Sequence, residues 1–208
     1  MEQPIIKICG LQSLEAAKHA VDSGAKYLGV ICVPNRKRTV RAEVAREISE
    51  LVHSSDSHVK LVGVFRNQSK EDILETVRDY QLDIVQLHGD EAWREYRQFL
   101  GIPIIKRMIF PRDCDEVLKS SNEPDFLCLF DSEAGGTGEM LNWEAINQWA
   151  TDTGVGTRFI LAGGLTPENV EEALKISGVI GIDVSGGVES NNEKDLNKIS
   201  RFVNNAMK

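Results

Sequence analysis

The apolar run from Phe126 ends on Asp131 and passes at once into a small-residue turn, Gly135-Gly136-Thr137-Gly138. Asn or Gly would stop a strand equally well, so a carboxylate there is either a turn residue or the acid of a reaction. Two later segments point to a ligand class. Gly163-Gly164 follows the run Arg158–Ala162, and Ser185-Gly186-Gly187 follows the run Val179–Val184. Glycine-rich turns expose main-chain N–H groups and following helix N-termini add partial positive charge, a combination that suits a phosphate dianion. Either turn alone could be no more than a sharp bend; the recurrence in two successive connections favours phosphate. Cys9, Arg38 and His88 stand at or just after three other apolar runs.

These side chains need a scaffold that brings run ends together. Short, β-branched apolar runs recur at Ile5–Cys9, Tyr27–Cys32, Lys60–Phe65, Asp83–His88, Pro103–Met108, Phe126–Asp131, Arg158–Ala162 and Val179–Val184. They are too short for helices and largely unalternated, as strands buried on both faces are. Amphipathic stretches separate them. Ser69 with Asp72 has capping-box spacing ahead of Ile73, Leu74 and Val77, and Thr166-Pro167 reads as a cap followed by proline in the first helical position. Trp93, Tyr96 and Leu100 repeat at helical spacing as a core face, and Leu196, Ile199, Val203 and Ala206 close the chain as a helix.

Eight strand-helix alternations without a compositional break predict a single-domain (β/α)8 TIM barrel over residues 1–208. An open, doubly wound sheet is the competitor, disfavoured because no GxGxxG follows the first strand. A barrel puts its site at the C-terminal ends of the strands, where Cys9, Arg38, His88, Asp131 and the two glycine turns all fall.

A formal net charge of −8 argues against nucleic acid or an anionic membrane as partner, since both reward Lys and Arg. An anionic ligand must therefore be met by local donors. No signal-peptide pattern or membrane-length apolar run is present, and the four cysteines lack CxxC spacing, so reduced thiols in a cytoplasmic protein are expected. No apolar seam stands out on the helices, which leaves a monomer as the expectation.

Seven motifs together resemble the phosphoribosylanthranilate isomerase family of tryptophan biosynthesis. They are KICG (Lys7–Gly10), NRKRTV (Asn35–Val40), VGVF (Val62–Phe65), QLHGDE (Gln86–Glu91), FDSEAGGTGEMLNW (Phe130–Trp143), LAGGLTPENV (Leu161–Val170) and IDVSGGVE (Ile182–Glu189). The wording CVPNRKRTV is similar to the fungal branch. The resemblance covers nearly the whole chain and implies an Amadori rearrangement of N-(5′-phosphoribosyl)anthranilate to 1-(2-carboxyphenylamino)-1-deoxyribulose 5-phosphate, with no cofactor and no metal. That reaction needs an acid to protonate the furanose ring oxygen and a base to take the C2′ proton.

By the same resemblance Asp131 is the acid and Cys9 the base. A thiol is mostly protonated near neutrality, so a positive or N–H-rich field should favour its anion. Lys7 shares the strand face of Cys9 but stands a full repeat away, and is not the expected source. Arg38 would pair with the anthranilate carboxylate, with Arg36 and Lys37 as alternatives in the same loop. Gly163, Gly164, Ser185 and Gly186 would hold the phosphate, His88 would orient neighbours, and Asp183 would organise loops at the rim. Cys32 and Cys128 read as buried small hydrophobes and Cys114 as an exposed helix residue. Two rival functions share the phosphate loops: another phosphosugar barrel enzyme, such as an epimerase or indoleglycerol-phosphate synthase, and a non-catalytic phosphate-ligand sensor.

Overall fold

The computed structural model describes residues 3–54, 58–132, 139–154 and 156–208, so the Gly135–Gly138 turn lies outside the described residues. Eight parallel strands close into a barrel in sequential order: β1 (Ile5–Ile8), β2 (Tyr27–Ile31), β3 (Lys60–Phe65), β4 (Ile84–Leu87), β5 (Ile104–Met108), β6 (Phe126–Phe130), β7 (Phe159–Leu161) and β8 (Val179–Val184). Helices α1 (Leu14–Ser23), α2 (Ala42–His53), α3 (Lys70–Tyr80), α4 (Trp93–Leu100), α5 (Cys114–Ser120), α6 (Trp143–Thr153), α7 (Val170–Ala173) and α8 (Leu196–Ala206) follow the strands in turn. The expected barrel is the observed one. Between β8 and α8 the chain adds a 3₁₀ turn (Gly186–Val188) and a small hairpin of β9 (Glu189–Ser190) and β10 (Glu193–Lys194), which the sequence reading did not anticipate.

The lack of alternation in the strands has a direct cause, because both faces are covered. One set of side chains, including Ile6, Ile8, Leu28, Leu61, Val85 and Phe130, packs outward among the helices. The other set, Val62, Ile84, Ile105, Leu129, Ile160 and Ala162, fills the barrel interior. A barrel interior is thus a packed core rather than a pore.

Five strands stop one residue before the expected end, at the positions of Cys9, Cys32, His88, Asp131 and Ala162. Each of these residues nevertheless donates its N–H to the neighbouring strand: Cys9 to Val184 O, Cys32 to Val64 O, His88 to Phe65 O, Asp131 to Met108 O and Ala162 to Phe130 O, at 2.8–3.2 Å. The last ladder bond therefore fixes the backbone of Cys9, His88 and Asp131, and their side chains inherit that rigidity.

The cap at Ser69 is as read, its Oγ accepting from Asp72 N–H at 3.1 Å. Thr166 also caps, its Oγ1 accepting the Glu168 N–H at 3.3 Å while Asn169 Oδ1 accepts the Thr166 N–H at 2.8 Å. Asn169 Nδ2 also donates to Gly164 O at 2.9 Å, and residues 167–169 form a turn, so that α7 itself begins only at Val170 and not at Pro167. Trp93 and Leu100 are buried and Tyr96 half-buried, with Trp93 stacked on Phe126 at 3.8 Å, as a core face requires. Cys114 departs from expectation: it opens α5 half-buried against the core instead of lying exposed. Among the described residues no helix is long and apolar enough to cross a membrane.

Candidate active site

The strand C-termini surround two adjoining cavities. One, of about 340 Å³, is lined by Cys9, Arg38, Arg66, Gln86, His88 and Asp131 among others. The second, of about 370 Å³, is walled by Gly163, Gly164, Thr166, Gly186 and Gly187. Asp131, Asp183 and Ser185 line both. All nine residues singled out in the sequence thus converge on one continuous site, although they come from six of the eight strands or the loops after them.

Asp131 is 7% exposed. Its Oδ1 accepts the N–H of Ser132 at 2.8 Å, and its Oδ2 stands 3.3 Å from His88 Nε2. On the other side of the ring, Gln86 Nε2 lies 3.2 Å from His88 Nδ1. An amide donating to Nδ1 leaves the ring proton on Nε2, directed at the carboxylate. The neighbour that His88 faces is the candidate acid.

Cys9 is buried. Its thiol lies over Gly29 of β2, where a Cβ would come within 2.6 Å of Sγ and 3.1 Å of the Cys9 Cα. A side chain at Gly29 would thus push the sulfur from its place. Burial is the largest influence on the thiol and leaves it above its ordinary range; against that, Lys7 draws it down, Asp183 opposes Lys7, and Lys194 again lowers it. A positive field that partly offsets burial is thus present, and its main source is Lys7, which spacing alone did not favour. Lys7 is fully enclosed, and its Nζ donates to Asp183 Oδ1 at 2.9 Å. Burial pulls Lys7 down, but Asp183 and Cys9 outweigh that and push it up to about 12. Asp183 belongs to β8, opposite Lys7 in register, and is buried rather than placed at the expected rim.

All three basic residues of the loop after β2 line the first cavity. Arg36 and Lys37 are exposed, whereas Arg38 is half-buried and fixed by a bidentate contact, Nε to Glu189 Oε1 at 2.7 Å and Nη2 to Oε2 at 2.9 Å. Lys194 Nζ donates to the same carboxylate at 2.8 Å and to Ser185 O at 2.9 Å. Burial would raise the Glu189 carboxyl, yet Arg38 and Lys194 hold it down at about 2. Glu189 lies inside the IDVSGGVE motif but carried no signal of this pairing, and Lys194 carried none at all. Both come to the site through the hairpin after β8.

The phosphate loops have a steric logic. Gly163 and Gly164 adopt φ of +85° and +67°, and a Cβ on Gly164 would lie 2.9 Å from Met140 Cα. Only glycine is comfortable in both respects. With four glycines along its wall, the second cavity presents mainly backbone, and main-chain amides can approach an anion closely.

A family model described as N-(5'phosphoribosyl)anthranilate (PRA) isomerase matches residues 6–205. N-(5'-phosphoribosyl)anthranilate isomerase of Saccharomyces cerevisiae is 58% identical, over 99% of this chain and 95% of its own. The Zygosaccharomyces bailii protein of the same name is 55% identical, with 96% of each chain covered. Among solved structures, phosphoribosyl anthranilate isomerase from Thermotoga maritima superposes with a TM-score of 0.82 at 34% identity, over 99% of this chain and 98% of its own. Another isomerase structure, in complex with reduced 1-(o-carboxyphenylamino)-1-deoxyribulose 5-phosphate, gives a TM-score of 0.80 at 34% identity with the same coverage. The chain belongs to the N-(5'-phosphoribosyl)anthranilate isomerase family.

Proposed function

We infer that this chain isomerises N-(5′-phosphoribosyl)anthranilate to 1-(2-carboxyphenylamino)-1-deoxyribulose 5-phosphate, with Asp131 as general acid and Cys9 as general base. The observation that carries this reading is one site that joins a buried carboxyl and a buried thiol to two different anion receptors, the Arg38 guanidinium and the glycine-walled cavity. The substrate has two such anions, a carboxylate on the aryl ring and a phosphate on the ribose.

Asp131 gives its proton to the furanose ring oxygen as the C1′–O bond breaks, and the electron pair of the amine completes the Schiff base. His88 and the Ser132 N–H fix the carboxyl for that transfer. The Cys9 thiolate then takes the proton from C2′, and the electrons of that C–H bond form the C1′=C2′ bond of an enolamine. Its tautomerisation to the ketone moves the enol proton to C1′. Between turnovers Asp131 regains a proton and Cys9 loses one. Arg38 offers its guanidinium to the ring carboxylate, and Gly163, Gly164, Ser185 and Gly186 receive the phosphate.

The protein acts as one barrel domain. Its free thiols suit the reducing cytoplasm, and large apolar side chains exposed at Leu14, Phe99, Leu118, Met140 and Met207 are dispersed over different elements, which suits a monomer. The test of function is loss of anthranilate-type fluorescence when the purified protein meets phosphoribosylanthranilate generated in situ, corrected for spontaneous breakdown. Protein-dependent loss with formation of the deoxyribulose product is expected. Phosphate-ligand binding without turnover by folded protein would overturn the reading in favour of a sensor.

A further inference from the structure

We infer that Lys7 is the cation that makes Cys9 usable as a base and that Asp183 is the carboxylate that holds Lys7 under it, an inference that rests on Cys9 being the proton acceptor. Lys7 and Cys9 are alternate residues along one edge of the chain, so both side chains point into the barrel. Asp183 stands opposite Lys7 in the β1–β8 register, and its Oδ1 takes the ammonium at 2.9 Å. Other strands fill the interior with apolar side chains, Val62, Ile84, Ile105, Leu129 and Ile160. A fully enclosed lysine at this level pays a desolvation penalty that an apolar residue would avoid, so its place calls for a function beyond packing.

The charges around the sulfur define what that function is. Lys7 from β1, Asp183 from β8 and Lys194 from β10 act on Cys9, and Cys9 in turn acts on Arg38 and Cys32 of the β2 side. Asp131 and His88 line the same cavity. Lys7 lowers the thiol more than Asp183 raises it, so the pair works against the burial that holds the thiol above its ordinary range. Lys7 itself transfers nothing. Held at about 12, it keeps its proton throughout. In the open site the thiol proton leaves to solvent; in the occupied site the thiolate accepts the C2′ proton and becomes a thiol again, beside an ammonium that has not changed. Lys7 and Asp183 are therefore positioning residues.

Both partners are needed to keep a charged ammonium beside the sulfur, and the pH profile of the thiol reports that charge, which a pair with a merely structural role would leave unmoved. The experiment follows alkylation of Cys9 by iodoacetamide against pH, resolved by peptide mass spectrometry, in the wild-type chain, Lys7→Met and Asp183→Asn, together with kcat and KM against pH. Lys7→Met should slow Cys9 alkylation at neutral pH on the order of tenfold or more and move the alkaline rise of kcat to higher pH, with KM little changed. Asp183→Asn should likewise slow Cys9 alkylation at neutral pH and move its profile to higher pH, because a fully buried lysine without its carboxylate loses its proton or its place. If either variant, folded by circular dichroism, titrates as wild type or moves to lower pH, the inference falls. Should Lys7→Met fail to fold, Asp183→Asn decides alone: a profile unmoved or moved to lower pH overturns it. Cys9→Ala separates the two levels. Turnover retained there removes the base itself, whereas turnover lost there with an unmoved thiol profile in the other variants removes only the role of Lys7.

Discussion

Glu189 links the stability of the hairpin after β8 to the binding site, and Glu189→Gln tests that link quantitatively. The carboxylate is 9% exposed and receives three charge-assisted hydrogen bonds, from Arg38 Nε at 2.7 Å, Arg38 Nη2 at 2.9 Å and Lys194 Nζ at 2.8 Å. Burial raises its pKa, and the two cations more than reverse that, taking it from 4.5 to about 2. A carboxyl depressed on folding contributes stability that is complete above its unfolded value and is lost as pH falls through the folded value. The window therefore runs from about pH 4.5 down to about pH 2. At ~1.4 kcal/mol per pH unit, this amounts to ~3 kcal/mol at pH 7 and ~1 kcal/mol at pH 3. Gln has the shape of the protonated acid, so Glu189→Gln should cost about the same amounts. Urea unfolding of both chains at pH 7 and pH 3, followed by circular dichroism and extrapolated to water, measures the difference. Equal stability at pH 7, or a gap that fails to narrow at pH 3, would refute the assignment of Glu189 as a buried ionised hub.

Three further outcomes are expected. Cys9→Ala and Asp131→Asn should each lower kcat by about 10²–10⁴ with a smaller change in KM, because each group acts chiefly in the transition state; near-normal turnover in steady-state fluorescence assays removes that residue from its role. Gly164→Asp should raise KM far more than it lowers kcat and abolish inhibition by inorganic phosphate, since it sets a charge against the ligand phosphate and a side chain against Met140; unchanged KM would move the phosphate elsewhere. Gly29→Ala should still fold, because Gly29 is an ordinary strand position, yet lose about tenfold or more in kcat by displacing the Cys9 sulfur. Unaltered kcat there would mean that the observed thiol position is not the reactive one.

The strands were legible because burial on both faces leaves a local mark, a continuous β-branched run, and the helices because one apolar stripe and a cap such as Ser69 are local too. Thr166 caps as well, but Asn169 reaches back to Gly164 and Thr166, and the first turn at Pro167 does not become α-helix until Val170. Cys9, Asp131, Arg38 and the glycine turns were readable as candidates because their residue types fall at run ends, where a barrel gathers its chemistry. What they do to one another was not readable. Spacing made Lys7 look too far from Cys9, yet the barrel closes β1 against β8 and brings Asp183 under the ammonium, 176 positions away along the chain. Glu189 meets Arg38 across 151 positions, and a hairpin without a local signature carries Lys194 to the same carboxylate. The barrel, the kinds of chemical groups at its mouth and the two glycine-rich turns are written in local order, since periodicity and turn chemistry are properties of neighbouring residues. Which charges share a buried space, and how they act on Cys9 and Glu189, follows from the fold alone, because Coulomb interactions and desolvation depend on distance through the folded protein and not along the chain.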